Sequence, residues 1–207
     1  ENLKMMKLIA SLATAALTLT HGLTENEATS ILRADVESYS TNVGFGSLCN
    51  SYSCCNVTAT ESCSVSSMPK DETTLVLPGG TTRCIFSTST PFAFQVIPGA
   101  SDKVLLYFQG GGACWDEAST KAGLCTTDCD PQGPNGIFDR KEATNAYKDY
   151  TIVHVMYCSG DLFGGDIVRD YTDSAGVPVV QKGYDNALSA VNWIQQQQSS
   201  GALASTL

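Results

Sequence analysis

Histidine is scarce in this 207-residue chain, occurring only at His21 and His154. No Cys-x-x-Cys pair is present either. The two absences together count against structural zinc, which needs four Cys or His ligands at short, regular spacing. Basic residues are few, with 12 Lys and Arg against 21 Asp and Glu and a net charge of −9. A nucleic-acid partner needs a basic face, so that class is excluded. The acidic excess favours solubility and says little about chemistry. The apolar run at residues 8–19 falls well short of the roughly 20 residues that a membrane helix takes. Lys4 and Lys7 precede this run, small residues follow it, and the chain turns polar and acidic from Thr24. That layout describes a secretory leader over residues 1–22, cleaved near 20–22, which leaves no membrane span in the mature chain. The chain opens on Glu1, and Met5 or Met6 is the expected start.

Cysteine, by contrast, is abundant: nine residues, at Cys49, Cys54, Cys55, Cys63, Cys84, Cys114, Cys125, Cys129 and Cys158. In an exported chain that density reads as disulfides, and the odd count leaves one thiol free or paired outside the chain. Asn56-Val57-Thr58 is a glycosylation sequon, expected to be used on a secreted protein. Residues 23–72 are polar and weakly patterned. Four of the cysteines fall within residues 49–63, among Ser, Asn and Thr. The expectation is a disulfide-pinned extension without a core of its own.

From residue 73 the texture changes. Residues 73–77, 83–87 and 92–97 are strand candidates, closed by Pro78-Gly79-Gly80 and Pro98-Gly99. Residues 103–108 and 150–157 are continuous apolar runs, expected as strands buried on both faces. Residues 159–182 read as a Gly- and Asp-rich loop. A helix is expected over 184–198, with Ala187, Ala190, Val191 and Ile194 on one face. Residues 202–207 look like the opening of a further strand. Strand, loop, strand, helix, strand is an α/β layout with a mostly parallel sheet over 73–207.

The sharpest chemical signal is Phe108-Gln109-Gly110-Gly111-Gly112-Ala113-Cys114-Trp115-Asp116. Three glycines directly after a strand leave backbone N–H groups bare and free to meet a ligand. In acyl transfer a carbonyl oxygen gains negative charge, and fixed N–H donors aimed at it lower the barrier. Later motifs follow in order. Gly136-Ile137-Phe138-Asp139 leads into the second apolar run, and Tyr157-Cys158-Ser159-Gly160-Asp161 follows it. Then come Gly164-Gly165-Asp166 and Gln181-Lys182-Gly183-Tyr184-Asp185-Asn186-Ala187. Together these resemble the pectin acetylesterase and Notum family of carboxylesterases, in its microbial branch, over about residues 82–207.

The resemblance implies the N-terminal portion of an α/β-hydrolase fold, truncated before the nucleophile elbow. Family members carry a Ser-Asp-His triad in that order, with the serine in a Gly-x-Ser-x-Gly turn that does not occur here. What carries over is the oxyanion hole, Gly111 and Gly112. Trp115, Ser159 and Asp161 are pocket candidates, and the implied disulfides are Cys84–Cys158 and Cys114–Cys125. The implied substrate is an acetylated polysaccharide or another acyl ester, and no metal or organic cofactor is implied. His154 lies within a strand and precedes the elbow, so it is a core histidine in this reading. A non-catalytic secreted binding protein is the alternative.

Two lesser signals are weak. Ser67-Met68-Pro69-Lys70 fits an acylating Ser-x-x-Lys pair, but Pro69 breaks the helix that pair needs. Asp128, Asp130, Gly133 and Asp139 fall at calcium-loop spacing, but Pro131, Gln132, Pro134 and the lack of flanking helices oppose it.

Overall fold

The computed structural model describes residues 48–205. The expected leader at 1–22 and residues 23–47 of the expected extension lie outside the described residues, as do 206–207. In chain order the elements are β1 (Ser53–Asn56), β2 (Thr74–Leu77), β3 (Phe94–Ile97), β4 (Ala100–Phe108), α1 (Glu117–Lys121), β5 (Tyr150–Val155), β6 (Ile167–Thr172), β7 (Pro178–Gln181) and α2 (Gly183–Ser199).

Five strands form one sheet in the order β1-β2-β3-β5-β4. The sheet is mixed: β1 with β2 and β4 with β5 run parallel, while β3 is antiparallel to both its neighbours. Alternation assigns the two faces. Phe94, Val96, Val153 and Val155 pack with Ala190, Trp193 and Ile194 of α2 in the main core. Phe94 meets Trp193 edge to face at 5.5 Å, and the Trp193 indole N–H donates to the Cys63 carbonyl at 3.1 Å. Truncating so buried a tryptophan to alanine costs roughly 3–5 kcal/mol. On the opposite face Ile97 and Ile152 pack with Phe138. The sheet thus has α2 on one side and the turn Gly136–Phe138 on the other.

Several expectations are corrected. Residues 103–108 were expected to be buried on both faces. The strand they form, β4, closes the sheet order at its edge, with Tyr107 36% and Phe108 41% exposed. An unbroken apolar run reports side-chain type and not strand position. Residues 83–87 form no strand: Ile85 instead bridges Cys158 and Val180 through single backbone bonds. The expected loop at 159–182 contains the antiparallel hairpin β6–β7. Residues 202–205 turn rather than extend, and the Ala204 amide reaches the Ser101 carbonyl at the start of β4. Within the cysteine-rich stretch β1 joins the sheet, and Cys63 and Val65 enter the main core.

Four disulfides bind this frame: Cys49–Cys54, Cys55–Cys63, Cys84–Cys158 and Cys114–Cys125. The last two are the pairs that the resemblance implied. Cys129 is the odd thiol and is buried. Asn56, at the end of β1, is exposed.

Candidate functional site

The triple-glycine bend sits where β4 runs out. The Gln109 amide still donates to the Val155 carbonyl at 3.0 Å. Beyond it the chain turns sharply, with Gly112 at φ +74°. A side chain at Gly112 would run into the Leu124 carbonyl, and one at Gly111 into the Tyr157 ring and the Thr126 hydroxyl. Both positions therefore need glycine for close approach.

The bend is clamped from its carbonyl side and from beyond. The Thr126 amide donates to the Gly111 carbonyl at 2.7 Å, and the Ala113 amide to the Leu124 carbonyl at 3.0 Å. The Cys114–Cys125 disulfide crosses beside them. The Cys114 amide donates to the Gly160 carbonyl at 2.7 Å, and the buried Gln181 side chain donates to the Cys114 carbonyl at 2.7 Å. The amides of Gly110, Gly111 and Gly112, however, donate to no carbonyl among the described residues. Gly110 and Gly112 are exposed and Gly111 is half-buried. Backbone N–H groups without an internal partner are left for a ligand or water.

The other candidates take different parts. Ser159 and Asp161 come together, the Ser159 hydroxyl donating to Asp161 Oδ1 at 2.6 Å. Asp161 Oδ1 also accepts the Phe163 amide at 3.1 Å, and its Oδ2 accepts the Gly183 amide at the start of α2 at 2.7 Å. Ser159 is fully buried, so both side chains hold the turn after β5 in shape. That turn carries Leu162 and Phe163 at positive φ (57° and 60°), a conformation that bulky residues adopt only when their surroundings impose it. Trp115 is 61% exposed, just ahead of Asp116, which caps α1. Hydrogen bonds from Ser119 hold the Asp116 carboxyl below its ordinary pKa.

Tyr157 escaped the sequence reading, although it stands among the motif residues. Its ring lies under Gly111, and its hydroxyl accepts the Leu162 amide at 2.9 Å. Burial raises its phenol above the usual range, so it keeps its proton at neutral pH. Thr126, Gln181 and Gln109 also act here, the last by accepting the Tyr157 amide at 3.0 Å. Gln109 and Gln181 stand among the motif residues and Thr126 does not, but no local pattern encodes their contacts, because their partners are distant in the chain.

An open groove of about 390 Å³ runs beside Gly110, lined by Tyr107, Gln109, Gln132, Asn135 and Phe138 among others. Beneath Tyr107 and Phe138 lies His154, with ring centroids 5.4 and 5.2 Å away. His154 is fully buried, in keeping with a core role. Its Nδ1 stands 2.9 Å from Gln95 Oε1. That oxygen also accepts the Gln132 amide, while Gln95 Nε2 donates to the Gln132 carbonyl. Gln95 therefore presents an acceptor, and the His154 proton resides on Nδ1. Burial pushes the His154 pKa down to about 4.

The metal-like spacings do not assemble. Asp128 binds the Thr90 amide and the Thr127 hydroxyl, while Asp139 binds the Lys141 amide. Among the described residues the clusters of three metal-capable side chains are Cys84 with Cys129 and Cys158, and Cys55 with Glu61 and Cys63. Each contains a disulfide. The Ser67 hydroxyl donates to the Ser64 carbonyl at 2.7 Å.

No protein-family model matches the chain, and no curated protein matches it by sequence. Among solved structures it is similar to the Wnt deacylase Notum from Drosophila, at 15% identity and a TM-score of 0.42. The likeness covers 62% of this chain and 38% of that one, so this chain spans well under half of that neighbour's length. Among the described residues no helix is long and apolar enough to cross a membrane.

Proposed function

We propose that this chain carries the oxyanion-binding part of a secreted carboxylic ester hydrolase of the pectin acetylesterase type. The observation that carries the reading is the bend at Gly110–Gly112, whose amides donate to no carbonyl among the described residues while the Gly111 carbonyl is held by the Thr126 amide. In such a reaction a serine hydroxyl attacks the ester carbonyl, a histidine takes its proton, and an acidic residue orients that histidine. The carbonyl oxygen becomes negative, and the Gly111 and Gly112 amides receive it. Each such donor is worth roughly 3–4 kcal/mol of barrier. In this reading the serine, acid and triad histidine lie outside the 207 residues. The ordered motifs from Gly110 to Ala187 and the four disulfides support the same assignment.

The direct test is titration of the ¹⁵N-labelled chain with acetate, a stand-in for the developing oxyanion. The amide resonances of Gly111 and Gly112 are expected to move together and saturate. Amides that do not respond overturn the reading. Secreted protein from the extended reading frame is expected to hydrolyse p-nitrophenyl acetate.

A further inference from the structure

Asn56-Val57-Thr58 is the sole Asn-x-Ser/Thr sequence in the 207 residues, and the fold sets it on a sheet edge. Strand β1 ends the order β1-β2-β3-β5-β4 and pairs with β2 alone. Successive residues of a parallel strand send their backbone groups to opposite sides. The Val57 amide donates to the Leu77 carbonyl at 3.0 Å, so Val57 and Cys55 face β2. The N–H and C=O groups of Cys54 and Asn56 therefore face away from it. Among the described residues they make no backbone bond to any other segment.

An edge of this kind invites a further strand unless something guards it. The usual guards are lysine, other charges, proline or a bulge. Residues 49–60 include no Asp, Glu, Lys, Arg or Pro, and the β1–β2 register runs without a shift. The Cys49–Cys54 and Cys55–Cys63 disulfides fasten the strand at two adjacent residues, so the edge stays in place.

Asn56 itself has no structural task in this fold. Asparagine is a poor strand former. Where a strand gives way to a turn, its side chain commonly accepts the amide two residues on. Here the Thr58 amide goes to the Glu61 carbonyl at 2.9 Å instead. The Asn56 side chain makes no hydrogen bond among the described residues. It is exposed, as are Thr58, Ala59, Thr60 and Glu61 beside it. The Thr58 hydroxyl accepts the Glu61 amide at 3.0 Å and so shapes the turn that follows.

We propose that Asn56 is a glycosylated residue and that its glycan guards the β1 edge, where its bulk denies a second copy of the chain the free groups of Cys54 and Asn56. In the transfer, Asn56 Nδ2 bonds to the anomeric carbon of an oligosaccharide carried on a lipid diphosphate. The bond from that carbon to the diphosphate oxygen breaks, Nδ2 loses one proton, and the lipid diphosphate leaves. The inference needs an exported chain and is independent of the esterase reading.

The experiment secretes the chain from a eukaryotic host behind that host's leader. It reads intact mass, glycopeptides, and light scattering after size exclusion. The parent is expected to carry a glycan at Asn56 and to be monomeric. Asn56→Gln removes the acceptor without a change of charge. It is expected to keep the parent's urea midpoint and to lower the concentration of half-dimerisation by roughly tenfold or more. Asn56→Lys also lacks the glycan but puts a charge on the same edge, and it is expected to remain monomeric. Thr58→Ser keeps the sequon and is expected to match the parent. Glycosidase digestion of chain retained in the cells reads the modification even where secretion fails. Unmodified Asn56 overturns the proposal. So does an Asn56→Gln variant as monomeric as the parent, or an Asn56→Lys variant that dimerises as readily as Asn56→Gln.

Discussion

Asp161 accepts the backbone amide of Gly183 at 2.7 Å and so ties the turn after β5 to the first residue of α2. The contact is close enough that a side chain at Gly183 would collide with the Asp161 carboxylate. A carboxylate at a helix N-terminus also meets the positive end of the helix dipole. With Ser159 and the Phe163 amide bound to Oδ1, this side chain holds three groups across two segments. Asp161→Ala is therefore expected to lower stability by about 2–3 kcal/mol. Asp161→Asn, which retains one acceptor oxygen, is expected to lose less. Urea denaturation reads both, and an unchanged midpoint for the alanine variant would show that the aspartate is a bystander.

The bend itself makes a paired prediction. A methyl group at Gly112 meets the Leu124 carbonyl on backbone already at φ +74°, whereas one at Gly110 meets nothing within 4 Å. Gly112→Ala should destabilise the chain by about 1–3 kcal/mol and shift the Cys114 and Thr126 amide resonances. Gly110→Ala should stay within about 0.5 kcal/mol of the parent. Comparable losses at both positions would mean that the bend tolerates either and is not clamped.

Much of this frame is legible in sequence. The strands at 74–77, 94–97 and 150–155 come from apolar runs closed by Pro-Gly or turn residues. The helix comes from 3.6-residue spacing. The hairpin β6–β7 is not legible, because its first strand buries little. Ile167 and Val168 are 46% and 36% exposed, so no apolar alternation stands out from the surrounding Gly and Asp. Strand β1 is masked by its adjacent cysteines, which disulfide chemistry explains without any strand. At the site the three glycines announce themselves, since free amides depend on the local absence of side chains. What fixes them does not. Gln181 meets the Cys114 carbonyl across 67 residues of chain, and no pattern at either end encodes that pairing. The groove was invisible for the same reason, as Tyr107 and Asn135 meet only through topology.

Cys129 offers a test of the sulfur arrangement. Its Sγ lies 3.7 Å from that of Cys84 and 3.8 Å from that of Cys158. It is only 6% exposed, and burial pushes its thiol pKa up to about 12. A neutral, enclosed thiol is inert towards thiol reagents. Native protein should show no reaction with Ellman's reagent, and guanidinium-unfolded protein should show one thiol. In Cys84→Ser the freed Cys158 sulfur has Cys129 within reach. Non-reducing peptide mapping of that variant is expected to find Cys129 joined to Cys158, and two free thiols there would contradict the arrangement.

The last prediction follows from His154. Its folded pKa, about 4, lies below the ordinary 6.5 because charging a buried imidazole is opposed by desolvation. A depressed folded pKa means that the unfolded chain takes up the proton first as pH falls. The neutral ring thus contributes stability that is fully present above pH 6.5 and is lost progressively between about 6.5 and 4. Two and a half pH units correspond to roughly 3 kcal/mol at most. Carboxylates with lowered pKa values, such as Asp173 held by Ser87 and Val177, add their own loss lower on the scale, as pH falls through about 4 and below. The upper part of the decline therefore belongs to histidine. Chemical denaturation at intervals from pH 7 to 4 should show it. His154→Gln should be less stable at pH 7 and flatter between 6.5 and 5. A variant with the parent's slope in that window would place the titrating group elsewhere, His21 being the remaining histidine.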